Sequence, residues 1–134
     1  MITSQTLTGS VVALTLSNPL NLNYPLSMLV AKVDGKICTI NPAGTFTSFN
    51  CQLPVNADNS PVLRAGDYNV ELFLMEVGYI NIQAGVNPMN YALAITSVTQ
   101  SSGGTNGGYP INLDGHGFPS TAVGAIITLC GVRV

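Results

Sequence analysis

The sequence predicts an all-β fold assembled from short antiparallel strands. Three observations predict it. Apolar and polar residues alternate with period two over most of the chain. No segment combines a 3.6-residue apolar period with capping residues, so no long helix is expected. Turn-forming pairs such as Asn-Pro, Asp-Gly and Ala-Gly divide the alternating runs at short intervals.

The elements follow in chain order. Val11 to Leu16 reads as a strand closed by Ser17-Asn18-Pro19. Leu26 to Val33 is a second, strongly apolar strand. Asp34-Gly35 then turns it into Lys36 to Ile40, because Asp-Gly between alternating residues favours a two-residue hairpin. Asn41-Pro42-Ala43-Gly44 makes the next turn, and Thr45 to Leu53 alternates again. Asn56 to Pro61 is a polar loop. Arg64-Ala65-Gly66-Asp67 turns into the alternating run Tyr68 to Leu74. Ile80 to Gln83 is short and reads as strand or loop. Met89 to Val98 is a single strand, followed by a Gly/Ser turn, a further alternating strand and a Gly-His-Gly-Phe turn ending at Phe118.

Composition narrows the function. Only 7% of residues are charged and 46% are hydrophobic, so the surface is made of Ser, Thr, Asn, Gln and Gly. Low charge weakens self-repulsion and suits a protein that associates. Nucleic-acid binding needs a basic stripe. Lys32, Lys36, Arg64 and Arg133 are too few to form one, so no nucleic-acid partner is expected. No apolar run is long enough for a membrane-spanning helix. Met1 is followed by no basic segment, so no signal peptide is expected within these residues and a longer precursor is.

A weak internal repeat runs through the chain. Ile2-Thr3-Ser4 recurs as Ile95-Thr96-Ser97, 93 positions on. Leu14-Thr15-Leu16 matches Ile111-Asn112-Leu113, 97 on, and Gly35 matches Gly131, 96 on. Such a period is the size of one immunoglobulin-like domain. On this register residues 1–94 are one complete unit, and 95–134 are the first strands of a second.

Several motifs carry a family resemblance. They are Gly35 with Cys38, Phe49-Asn50-Cys51-Gln52-Leu53-Pro54, Ala65-Gly66-Asp67-Tyr68-Asn69-Val70 and Asn90-Tyr91-Ala92-Leu93. To these are added Ile95 to Gly104 and Gly115-His116-Gly117-Phe118. Together they resemble the IPT/TIG domain, an immunoglobulin-like module of cell-surface receptors and extracellular repeat proteins. The first unit departs at its start, where Leu7-Thr8-Gly9-Ser10 and Ser17-Asn18-Pro19 replace the glycine turns. The resemblance implies an immunoglobulin-like β-sandwich: one complete unit, plus a second to be completed by later residues or by a neighbouring chain. It also implies a Cys38–Cys51 disulfide, and hence an oxidising, extracellular compartment. The residues themselves leave two buried free thiols as the alternative. Cys130 is the odd cysteine, to be paired outside these residues, paired between chains or buried in its strand.

No residue set predicts catalysis or a cofactor. Asp114 and His116 have no Gly-x-Ser-x-Gly elbow to serve, and His116 reads as a turn residue. Asp58, Asp67, Glu71 and Asp114 lack calcium-loop spacing, and no Cys-x-x-Cys is present. Tyr79 and Tyr109 each follow a glycine and are the candidates for exposed interaction residues. Any glycan would be O-linked, in the Ser/Thr-rich run 96–105. The expectation is a non-enzymatic extracellular structural or adhesive repeat that builds a fibre with copies of itself or with neighbouring immunoglobulin-like domains. The alternatives are a glycan- or protein-binding ectodomain module and a spacer domain of a secreted enzyme.

Overall fold

The structure is a computed structural model and describes residues 1–99, 102–121, 123 and 125–133. It is all-β. The strands are β1 (Ile2–Thr8), β2 (Val11–Leu16), β3 (Leu29–Val33), β4 (Lys36–Ile40), β5 (Ser48–Gln52), β6 (Gly66–Tyr68) and β7 (Val70–Leu74). They continue as β8 (Gly78–Ile80), β9 (Met89–Tyr91), β10 (Ala94–Val98), β11 (Leu113–His116), β12 (Thr128–Leu129) and β13 (Val132–Arg133). One 3₁₀ turn, Leu26–Met28, precedes β3.

Seven strands form one antiparallel sheet in the order β1-β2-β5-β4-β3-β7-β8. Period-two alternation puts one face of each strand inside. Val12, Leu14 and Leu16 are buried on β2, Leu29, Ala31 and Val33 on β3, and Val70, Leu72 and Leu74 on β7. Each such Val or Leu side chain contributes about 1.5–3 kcal/mol by leaving water. The sheet curls until its two ends meet. Ile2 bridges Ile82 in parallel: Ile2 N–H donates to the Asn81 carbonyl at 2.8 Å, and Gln83 N–H donates to the Ile2 carbonyl at 2.9 Å. This bridge joins the two edge strands at the Ile2 end, which shortens the exposed edge that could template strand addition.

One polar side chain pins this closure. Gln5 is buried; its Nε2 donates to Asn69 Oδ1 (2.6 Å) and to the Asn87 carbonyl (3.0 Å), and its Oε1 accepts from Val70 N–H (3.0 Å). Both its amide N–H groups and its oxygen are thus partnered, by Asn69, Asn87 and the first residue of β7, as burial of an amide requires. Cys38 on β4 and Cys51 on β5 are both buried and joined by a disulfide, with Cα atoms 5.3 Å apart.

The sequence reading had no strand at β1 and placed the short segment of β8 at Ile80 to Gln83, and the elements differ from it in four further places. Pro25, with φ −64°, leads into the 3₁₀ turn, so the strand read from Leu26 starts at Leu29. Thr45 folds back on Ser48, which shortens the strand read from Thr45 to Ser48–Gln52. The run Tyr68 to Leu74 breaks at Asn69: β6 pairs with β9, whereas β7 pairs with β3 and β8. The strand read as Met89 to Val98 breaks at Ala92-Leu93, where β9 ends and β10 starts a separate pair with β11. In both last cases the partner strand changes, and alternation along the chain carries no mark of that.

Candidate functional site

The chain beyond Tyr91 repeats local features of its beginning. Strand β10 pairs with β11 as β1 pairs with β2, and the register slips at the same place. The slip lies between Ile2 and Ser4 in the first pair and between Ile95 and Ser97 in the second. Aligned on this bulge, Ile95 takes the place of Ile2, Val98 that of Gln5, and Leu113 that of Leu14. The offset on β11 is therefore 99, two more than the 97 expected from the sequence. A shift of two leaves an alternating pattern unchanged, so the sequence could not choose between them.

The hairpins repeat as well. Val33-Asp34-Gly35-Lys36 and Leu129-Cys130-Gly131-Val132 each turn through two residues of positive φ: 51° and 72° in the first, 47° and 82° in the second. Both central residues left-handed is the type I′ signature. Lys36 Nζ lies 3.1 Å from Asp34 Oδ2 across the first turn. Cys130 occupies the Asp34 position in the second, exposed and unbonded. This places it on a turn tip, outside the core of either hairpin.

The two copies differ in what covers them. Ile2 is 0% exposed and Ile95 is 53%; Val33 is 0% and Leu129 is 45%. Ile111 and Ile127 are likewise exposed where Val12 and Ala31 are buried. Among the described residues after Tyr91, only Gly117 is buried. The pairs β10–β11 and β12–β13 thus each leave apolar side chains exposed, as are Phe118, Val123 and Ile126, with no layer over them among the described residues.

A joint ties this part to Arg64, Ala65 and Tyr91. Arg64 and Gly117 form a parallel bridge, and Ala65 N–H donates to the Gly117 carbonyl at 2.9 Å. Gly117 has φ 82°, and a Cβ there would lie 3.2 Å from both the Ala92 oxygen and the Leu93 Cα. Only glycine fits without displacing backbone. His116 lies at the end of β11, stacked on the Tyr91 ring, with Nδ1 2.7 Å from Tyr91 Oη. The sequence reading placed His116 in a turn. The left-handed Gly117 makes that turn instead, leaving His116 extended and aimed at Tyr91. Burial pushes the Tyr91 phenol above its ordinary value of 10.0. Beside this joint is an open cleft of about 550 Å³ lined by Asp58, Asn59, Ser60, Asn90, Tyr91 and His116, among others. The Ser60 hydroxyl and amide donate to Asp58 and hold its carboxyl below the usual range.

The remaining sequence candidates do not gather into one site. Tyr79 is well exposed on β8, edge-on to Phe73 at 5.1 Å between ring centroids. Tyr109 is exposed on a loop, lying over Gly103 and Gly104. Asp67 accepts from Asn90 (2.8 Å) and Asp114 from Ser97 (2.8 Å). Among the described residues no three His, Cys, Asp or Glu side chains converge in a way that could hold a metal ion, and no helix is long and apolar enough to cross a membrane. The Ser/Thr-rich run 96–105 lies partly outside the described residues. The sequence reading missed the joint of Arg64, Ala65, Tyr91 and Gly117; its one visible signal was the glycine pair flanking His116. No known protein family, curated protein or solved structure matches the chain.

Proposed function

We propose that this protein is a non-enzymatic structural or adhesive element of the cell exterior, built from tandem immunoglobulin-like units of IPT/TIG type. Residues 1–94 are one unit, and 95–134 begin the next. The observation that carries this reading is the recurrence of the bulged strand pair and the type I′ hairpin, with apolar residues open at positions buried in the first copy. A face of that kind gains free energy when another chain or segment covers it. The low surface charge offers little repulsion against such association. The disulfide suits an oxidising compartment.

Sedimentation velocity over a range of concentrations, with negative-stain images, tests the assembly. The expected result is association that grows with concentration into elongated particles. A monomer at every concentration would count against it. The open cleft beside Tyr91 and His116 supports a second reading, a module that binds a glycan by hydrogen bonds to Asp58, Asn59 and Asn90 and by stacking on Tyr91. A glycan-binding screen that finds no ligand would remove it.

A further inference from the structure

Resting on the reading of residues 95–134 as a second unit, we infer that the free edge of β11 is a docking site for an extended polypeptide strand of β5 type. In the first unit β2 has two neighbours. It pairs with β1 on one edge and with β5 on the other, through Leu14↔Phe49, Ala13↔Asn50 and Val12↔Cys51. Its counterpart β11 pairs with no strand but β10 among the described residues, and only Gly117, just past its end, is bridged to Arg64. The bulge alignment then gives the register. Leu113, with Asn112 and Ile111 just ahead of β11, faces the positions held in β5 by Phe49, Asn50 and Cys51.

The first unit also states the partner's chemistry. Strand β5 buries Phe49 and Cys51 and exposes Ser48, Asn50 and Gln52. The docking strand has the same alternation: one aromatic side chain beside Leu113 and one small apolar side chain beside Ile111, with polar ones between them. Main-chain hydrogen bonds supply affinity in strand addition, and alternate side chains supply specificity. The first unit of another copy cannot donate this strand. Its sheet is closed by the Ile2–Ile82 bridge, and its own β5 is tied to β4 by the disulfide.

The test adds a synthetic peptide spanning residues 45–54, with Cys51→Ala, to the full isotope-labelled chain and follows backbone amide shifts. Saturable shifts at Ile111 to His116 are expected, weakened at least tenfold by Phe49→Asp in the peptide. Shifts confined to residues 1–91, or none at all, would overturn the inference. So would β11 amides that respond to protein concentration but not to peptide, which would name a second copy as the occupant. Sedimentation of the same sample without peptide reports separately on assembly, so failure of the strand site and failure of the repeat reading give different results.

Discussion

Equivalent positions in the two hairpins should respond very differently to the same truncation. Val33→Ala removes two methyl groups from a site with no solvent exposure. At roughly 0.8 kcal/mol per buried carbon group, plus a smaller cavity cost, the loss is about 2–3 kcal/mol. Leu129→Ala removes more carbon, yet Leu129 is 45% exposed. Surface truncations of that kind stay within about 0.5 kcal/mol. Urea unfolding followed by circular dichroism measures both. With a slope of about 1.5 kcal/mol per molar for a chain of this size, Val33→Ala should lower the midpoint by about 1.5 M and Leu129→Ala should barely move it. A loss above about 1 kcal/mol for Leu129→Ala would refute the reasoning, because a truncation that costly belongs to a packed interior rather than an open face.

Other outcomes follow from the fold and the joint. Replacing both half-cystines, Cys38→Ala with Cys51→Ala, frees a loop with a sequence separation of 13; denaturant unfolding should show a loss of about 3 kcal/mol. Gly117→Val forces a β-branched side chain into left-handed backbone against Ala92 and Leu93. Limited proteolysis should then cut faster between Tyr91 and Leu113, while the first unit loses less than about 0.5 kcal/mol. Burial raises the Tyr91 phenol, so the fold favours its neutral form. The stability this gives is fully present below the unfolded value near 10.0 and is lost as pH rises through the higher folded value. Phenolate absorbance during alkaline titration should show a late step that disappears in Tyr91→Phe.

Much of the first unit was legible because its evidence is local. Alternation marks β2, β3, β4 and β7, and Asp34-Gly35 marks a type I′ turn whose geometry needs two residues tolerant of positive φ. The pairing of β1 with Ile82 was not legible, since it joins residues 80 positions apart through backbone groups that every sequence has. The breaks at Asn69 and Ala92-Leu93 were hidden for a related reason. A strand that changes partners keeps its alternation, and only the other strand decides where the change occurs. The likeness of the two bulged pairs was visible in Ile95-Thr96-Ser97, but the two-residue difference on β11 shows what a period of two cannot resolve. The joint was read only as a glycine turn, because the contact of His116 with Tyr91 depends on the bend that Gly117 makes between them.

The central claim is that residues 95–134 begin a unit whose remaining strands resemble those of the first. Appending a second copy of residues 39–94 after Val134, with Cys51→Ser in that copy, supplies those strands directly. Amide hydrogen exchange resolved by residue is the measurement. Slowed exchange at Leu113 and Leu129, to rates like those of Leu14 and Val33, is the predicted result. Unchanged fast exchange across 95–133, beside an appended segment that stays unfolded, would contradict it.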